Sequence, residues 1–231
     1  MAAPAQADTL DFEGIAAQAV GYKDVVEHKG YSMTGESALD DALPGDLVGG
    51  IMNGSKPTDC LWLSCPVNNS TTYYTGLNDG VMLLERDDHK AFSLLSLDAS
   101  FVGAMQGAAT PDIPGILRIQ GFRADHTYGI FDVELHQSNR QFFFENTSTG
   151  DFGKDQFIAM AFFGLACGDG GDCHAFETNQ GQFAIDNLNV SVSAVPEPSN
   201  IAMLGGGLLV MGAMTRRRKN QRFASKEELS A

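Results

Sequence analysis

Carboxylates near the two ends of the chain are the first candidates for a metal site. Asp11 and Glu13 are two residues apart, so on a β-strand their side chains point to the same side. Asp186 can meet them if the first and last strands are neighbours. Three carboxylates and backbone carbonyls suit calcium, and without a cation they would repel one another. We expect structural calcium here. The alternative is that Asp11 and Glu13 face solvent while Asp186 forms a turn with Asn187.

Aromatic residues on a predicted long loop are the candidates for sugar binding. Residues 53–80 are polar and poor in strand signals, and they carry Trp62, Tyr73 and Tyr74. Exposed aromatic faces stack on pyranose rings, and polar groups at the rim orient the sugar. We expect these three side chains to bind polysaccharide. The alternative is that they cover an edge of the core.

The four cysteines form two close pairs, Cys60 with Cys65 and Cys167 with Cys173. Disulfides between neighbours are the simplest pairing and agree with an exported protein, although crossed pairing stays open. A disulfide that closes such a small loop adds about 2 kcal/mol to the stability of the folded protein. The spacing does not match the C-x2-C pattern of zinc sites. The acidic segment 167–173 could hold a cation, but it lacks the EF-hand pattern, and a disulfide-closed surface turn is the preferred interpretation.

The sequence contains no motif of a known catalytic site. H-E-x-x-H, G-x-S-x-G and the Walker loop are absent, and the five histidines do not have metal-ligand spacing. Two carboxylates can form a glycosidase site, but residues 1–194 contain 26 Asp and Glu, so many pairs fit. We therefore predict a domain that is not an enzyme. The alternative is a secreted hydrolase that acts on glycans.

Charge is distributed unevenly along the 231 residues. The formal net charge is -14, which excludes a basic surface for nucleic acid. Residues 1–194 carry 9 Lys and Arg against 26 Asp and Glu, a net charge of -17. Residues 195–231 have 6 basic and 3 acidic residues, a net charge of +3. An acidic body with a basic end indicates two segments with different roles.

The basic end begins with three short elements in a fixed order. The motif Pro196-Glu197-Pro198 is followed by an uncharged stretch, residues 201–214, and then by a cationic cluster that includes Arg216, Arg217 and Arg218. As a helix, residues 201–214 would be about 21 Å long, which is a marginal span for a hydrocarbon core of about 30 Å. The cations would stay in the cytoplasm, which places the acidic body on the exported side. The alternative is a buried C-terminal helix.

These three elements resemble the PEP-CTERM sorting signal of Gram-negative bacteria. The resemblance covers residues 195–219 and implies recognition by an exosortase and cleavage near the Pro-Glu-Pro motif. It also implies export across the inner membrane, a transient anchor through the short transmembrane helix, and delivery to the cell surface or the exopolysaccharide matrix. Residues 220–231 extend beyond the usual end of such signals, as a polar cytoplasmic tail.

The N-terminus is consistent with export. Ala5-Gln6-Ala7 fits the small-x-small pattern of a signal-peptidase site, so residues 1–7 are interpreted as the remainder of a signal peptide. The mature chain would then begin at Asp8. The alternative is an Ala-rich disordered start.

Residues 8–194 are predicted to form one all-β domain, a β-sandwich of the jelly-roll type. Short runs rich in β-branched and aromatic residues recur between turn residues, and no long window keeps a helical apolar stripe. The predicted strands are 9–12, 20–26, 31–34, 81–85, 92–97, 115–121, 128–136, 141–144, 156–163, 175–177 and 182–192.

A second resemblance concerns the strands at the ends and in the middle of this domain. Residues 9–14, 92–98 and 182–188 are similar to strands of exported PEP-CTERM sandwiches, and the last segment is similar to the group with a Gln-Phe-x-x-Asp signature. That group implies the fold and no activity. Together these features predict an extracellular matrix protein with a polysaccharide-binding or structural module.

Overall fold

Nearly all of the regular secondary structure in the described chain is β-strand. The computed structural model describes residues 6–60, 63–104 and 111–192. Two 3-10 turns occur, Pro57–Cys60 and Phe152–Lys154. The strands are β1 (Gln6–Leu10), β2 (Gln18–Gly21), β3 (Val25–His28), β4 (Tyr31–Ser37), β5 (Leu47–Asn53), β6 (Leu63–Ser64), β7 (Thr72–Gly76), β8 (Gly80–Arg86), β9 (Ser93–Phe101), β10 (Gly103–Ala104), β11 (Gly115–Phe122), β12 (Tyr128–Leu135), β13 (Gln137–Ser138), β14 (Gln141–Phe142), β15 (Glu145–Ser148), β16 (Ala159–Cys167), β17 (Cys173–His174) and β18 (Phe183–Val192).

Two antiparallel sheets of seven strands each form a β-sandwich, which confirms that the domain is an all-β sandwich, as predicted. Sheet 1 has the order β15-β9-β18-β7-β5-β2, and β1 pairs with β18. Sheet 2 has the order β12-β11-β16-β8-β4-β3, and β17 pairs with β16. Two small ribbons, β6 with β10 and β13 with β14, lie outside these sheets.

Alternation along the strands places the main core between the sheets. In β11, Leu117 and Ile119 are fully buried, whereas Arg118 and Gln120 are half-buried on the other side. The same period of two puts Met160 and Phe162 of β16 into the core. The sequence pattern of each strand therefore fixes which side chains face outward from sheet 2.

Strand β18 is central in sheet 1 and joins the ends of the domain. Leu10 of β1 pairs with Leu188, so the first and last strands are neighbours. The pairing of β18 with β9 shifts between Asp186 and Asn189, and Asn187 has a positive φ of 49°. Asn tolerates this conformation better than most residues. A β-bulge is therefore present at Asp186-Asn187.

The predicted long loop at residues 53–80 is only partly correct. Its last third forms β7, whose five residues are all buried. The flanking Asn and Ser residues concealed this Thr-Tyr-Tyr-Thr-Gly strand. The strand ends at Gly76. Only glycine fits at this position, because a Cβ there would lie 2.2 Å from the Phe183 ring. Strand β5 was missed, and its Gly49-Gly50 explains why, since glycine weakens a strand pattern. No strand forms over residues 175–177.

Both disulfides join neighbouring cysteines, Cys60 to Cys65 and Cys167 to Cys173, as the simplest pairing predicts. Within the described ranges, no helix is long and apolar enough to cross a membrane. Of the predicted signal-peptide remainder, residues 1–7, the first five lie outside these ranges and residues 6 and 7 belong to β1. The sorting segment 195–219 and the tail 220–231 also lie outside. Their roles, including those of Pro196, Glu197, Pro198 and the arginines, stay predictions.

Candidate functional site

The outer face of sheet 1 is covered at its centre. We call residues 54–60 and 63–71 the cover segment, which includes the Cys60–Cys65 disulfide. Beneath it lies a second apolar cluster, with Tyr73 in edge contact with Phe144 at 5.2 Å between ring centroids. The buried members of this cluster are Met52, Cys60, Tyr73, Leu77, Val102 and Ala184, with Leu63, Cys65 and Phe144 packed against them.

A buried carboxylate holds the cover segment in place. Asp186 is fully buried, and its Oδ2 accepts hydrogen bonds from Asn69 Nδ2 and Thr71 Oγ1, each at 2.8 Å. Its Oδ1 accepts the Asn187 N–H at 2.7 Å. Burial raises the pKa of Asp186, and these hydrogen bonds offset only part of that effect. Asp186 is therefore a structural anchor for the segment.

Two of the three predicted sugar-binding aromatics are in the interior. Tyr73 is 0% exposed and Tyr74 is 1% exposed, so the prediction that both form an exposed platform is wrong. They are adjacent on β7 and point to opposite faces, Tyr73 under the cover segment and Tyr74 into the main core. Both faces of this strand are covered. Trp62 lies outside the described residues.

The predicted calcium ligands each have protein partners. Asp11 accepts hydrogen bonds from Lys29 Nζ at 2.9 Å and the Glu13 N–H at 3.2 Å, and lies 3.3 Å from His28 Nε2. Desolvation raises the pKa of Asp11, but the bonds to Lys29 and His28 outweigh it, so the pKa falls below its usual value. Glu13 Oε1 accepts the Thr72 N–H at 2.8 Å.

These carboxylates do not form a recognisable metal cluster. Within the described ranges, no three His, Cys, Asp or Glu side chains are grouped so that they could hold a metal ion. The neighbouring positions of β1 and β18, on which the calcium hypothesis depends, are present. Calcium binding through Asp11, Glu13 and Asp186 stays a prediction.

The cavities on the side of sheet 1 include two that are lined by described residues. One of about 250 Å³ is lined by Cys60, Leu63, Cys65 and Tyr73, among others. The other, of about 340 Å³, lies along β2 and β5 near Gly50. None of the described residues that line them is charged.

The outer face of sheet 2 differs because large side chains on it are exposed. We call the outward side chains of β3, β4, β8, β16, β11 and β12 the open face. Tyr128 is 59% exposed, Ile130 46% and Val25 55%. Tyr128 and Ile130 are on β12, at one edge of the sheet, and Val25 is on β3, at the other. The apolar surface therefore reaches both edges.

Pairing between strands aligns one outward residue from each strand into a row that crosses the sheet, and we call each such row a rung. In the first rung, Tyr128 is opposite Phe122, and Glu85 is opposite Ser32. Neighbouring strands are about 4.8 Å apart, so six of them span about 24 Å. In order across the sheet, this rung contains Tyr128, Phe122, Ala159, Glu85, Ser32 and Glu27.

The next two rungs contain polar groups of the open face, and the third rung marks where its accessible part ends. The second rung contains Ile130, Gln120, Ala161, Leu83, Thr34 and Val25. In the third, Arg118 donates to both carboxylate oxygens of Asp132 at 2.8 and 2.7 Å. Beside this pair, Phe163 lies 5.2 Å from Phe176 between ring centroids, so residues near β17 cover that corner. The first two rungs are thus the accessible part.

The sequence of β12 carries a signal for this face. In β12, exposed Tyr128, Ile130 and Asp132 alternate with Phe131 and Val133, which face the core. Such alternation is typical of a strand with one side in solvent. Sequence alone did not show that a loop covers sheet 1 and leaves sheet 2 open.

No known protein family matches this chain, and no curated protein matches it. Among solved structures, it is similar to the enzymatically active domain of tailspike protein 4 of bacteriophage CBA120, with 9% identity and a TM-score of 0.29. The match covers 71% of this chain and 19% of that one, so the chain spans about a fifth of the tailspike's length.

Proposed function

We propose that the protein is an exported matrix protein whose β-sandwich binds polysaccharide without catalysis. The observation that supports this proposal is the contrast between the two outer faces. One is sealed by the cover segment, and the other exposes Tyr128 and Ile130 beside polar side chains. Exposed apolar surface rimmed by polar residues is typical of binding surfaces.

The first rung has the groups that a sugar chain needs. Tyr128 and Phe122, paired across two strands, supply aromatic surface for stacking on pyranose rings. Gln120 on the second rung supplies an amide that donates and accepts hydrogen bonds. A surface about 24 Å across, with no deep cleft required, suits an extended polymer lying across the strands.

Export through a PEP-CTERM signal is the second part of the proposal. The support is the order of Pro196-Glu197-Pro198, the apolar stretch 201–214 and the arginines, together with two local disulfides. We propose a jelly-roll sandwich and a short terminal helix that an exosortase recognises in the inner membrane of a Gram-negative bacterium. Cleavage would release a domain with a net charge near -17 to the surface or matrix.

Sorting is tested in a host that has an exosortase, with one epitope tag near Asp8 and a second tag after Ala231, beyond the Pro-Glu-Pro motif. The variant changes Arg216, Arg217 and Arg218 to Gln. We expect the wild-type protein to lose its C-terminal tag and reach the extracellular fraction. The variant should keep the tag and stay in the membrane fraction. Identical processing of the two would contradict the sorting proposal.

Binding is tested by retention of the purified protein on insoluble polysaccharides. Tyr128→Ala should lower the affinity about fivefold or more, if a stacked pyranose ring contributes as much as a base stacked on an aromatic side chain, on the order of 1–3 kcal/mol. Leu43→Ala is the control, because Leu43 is 66% exposed but lies outside sheet 2. Equal loss in both variants would contradict the assignment of the open face. Release of new reducing ends would indicate the hydrolase instead.

A further inference from the structure

We propose that the polysaccharide is a polymer of amino sugars with free ammonium groups. This inference rests on the proposed function and concerns the same open face. It follows from the charges that the face presents and from the positions of two carboxylates relative to the aromatic pair.

The open face is strongly acidic. Its only cationic side chain among the outward strand positions of the described sheet is Arg118, whose charge is paired with Asp132 through two hydrogen bonds. Lys23, from a neighbouring turn, forms an ion pair with Glu36 at 2.5 Å. The outward carboxylates of these strands are Glu27, Glu36, Glu85, Asp132 and Glu134.

Two of these carboxylates are free to meet a ligand. Glu27 and Glu85 have no ion-pair partner within the described part of the chain. They lie on either side of Ser32 in the first rung, about 10 Å apart at two strand spacings. Asp87 adds a third carboxylate at this position and accepts the Ser32 hydroxyl at 2.6 Å. One end of the rung is therefore anionic.

The other end of the same rung is aromatic. Phe122 and Tyr128 lie two and three strands away from Glu85, so one extended chain can reach both ends. The apolar faces of its sugar rings would stack on the aromatics. Ionised carboxylates only accept hydrogen bonds, and an ammonium group gives them the strongest charge-assisted donors. An amino-sugar polymer offers both features in one chain.

Charge also argues against the most obvious competitor. A polyuronate would bring carboxylates toward an acidic face on a domain with a net charge near -17. Like charges at this separation repel, and the field of the whole domain slows the approach of anions. Such a polymer would need divalent cations as bridges. A neutral polymer could stack on the aromatic side chains, but it would offer no cationic group to the carboxylates of Glu27 and Glu85.

The test measures binding of the full chain to three soluble probes by calorimetry. The probes are a glucosamine oligomer, its N-acetylated counterpart and a uronic acid oligomer, each with and without calcium. We expect the glucosamine oligomer to bind at least about tenfold more tightly than the other two. Its affinity should fall as salt increases, because the charges lie at the surface.

The variant is Glu27→Gln with Glu85→Gln, which keeps size and removes charge. We expect about a tenfold loss for the glucosamine oligomer and little change for the N-acetylated one. The control is Asp40→Asn with Asp41→Asn, which removes the same charge from exposed residues outside the strands. The control should bind like the wild-type protein.

The outcomes separate this inference from the proposed function. Equal affinity for the acetylated and free oligomers, or no effect of the Glu27 and Glu85 changes, overturns the amino-sugar inference and leaves polysaccharide binding standing. Tighter binding of the uronic acid oligomer with calcium also overturns it. Failure to bind any of the three probes, or any insoluble glycan, contradicts the proposed function itself.

Discussion

The two outer faces of the sandwich show how one architecture produces a sealed surface and an open one. On sheet 1, the cover segment packs over Tyr73 and Met52 and is fixed by a disulfide and by Asp186. On sheet 2, Tyr128 stays 59% exposed. Both faces carry a tyrosine on a strand, so residue type alone does not identify a binding surface. What lies over the strand decides it.

The difference is visible in the strands themselves. All five residues of β7 are buried, because this strand is central and has packing on both sides. Strand β12 is at the edge of sheet 2 and alternates between exposed and covered positions. A strand that is apolar on both faces indicates a covered sheet, and an alternating strand indicates an open one. The following experiments test this contrast, beginning with the largest expected effect.

Removing the two tyrosine rings should have very different consequences for folding. Tyr73→Ala leaves a cavity under the cover segment, and we expect it to lower the free energy of unfolding by about 3–5 kcal/mol. Tyr128→Ala should lower it by less than about 1 kcal/mol, since exposed surface changes cost little. Urea unfolding of both variants measures the difference. Equal destabilisation would show that Tyr128 is part of the core.

The two disulfides provide a matched pair with loops of nearly equal size. Replacing Cys60 and Cys65 with serine should lower the free energy of unfolding by about 2 kcal/mol, because the unfolded chain gains entropy. It should lower it further because packing under the cover segment is lost. Removing Cys167–Cys173 should cost only the entropic part, because the turn it closes is exposed. Thermal unfolding of the two double-serine variants compares them. A greater loss for Cys167–Cys173 would contradict the role of the cover segment.

Two aspartates should give opposite trends with pH. The raised pKa of folded Asp186 means that its contribution to stability is greatest at low pH and falls as pH rises through that pKa. Asp186→Asn should therefore gain stability relative to wild type between pH 4 and pH 7. The lowered pKa of Asp11 has the opposite effect: its contribution is present above the unfolded pKa and is lost as pH falls through the folded pKa.

Asp11→Asn should accordingly lose stability relative to wild type as pH rises toward the unfolded pKa of 3.8, with little further change above it. Denaturant unfolding at several pH values gives both differences, and subtraction of the wild-type curve removes the contribution of the other acids. These shifts should be the smallest effects in the series. Curves with the same sign for both variants would show that Asp186 is not held in a buried, desolvated site.

Much of the fold could be predicted from local patterns. Strands β11, β12 and β18 were recognised from β-branched and aromatic residues, and the short cysteine spacing gave the correct disulfides. Strand β7 was missed because its neighbours are polar turn residues, although tertiary packing buries it completely. The Gly49-Gly50 pair hid β5 in the same way. Local propensity fails where burial on both faces determines the structure.

The candidate site was harder to predict than the fold. Tyr73 and Tyr74 were selected because they are aromatic, and their exposure depends on contacts with residues such as Phe144 and Phe183, which are distant in the sequence. The first rung joins six strands, from Glu27 to Tyr128, whose register no local pattern defines. The pairing of the first and last strands was correctly anticipated, whereas the convergence of Asp11 and Asp186 on one calcium ion stays a prediction.

The most direct test of the open face is radical footprinting of the full chain with and without a saturating glucosamine oligomer. The account predicts that labelling of Tyr128 and Phe122 falls several-fold on binding. Val67, which is 51% exposed on the cover segment, should be labelled equally in both samples. Protection of Val67 with unchanged labelling of Tyr128 would place the ligand on sheet 1 and contradict the account.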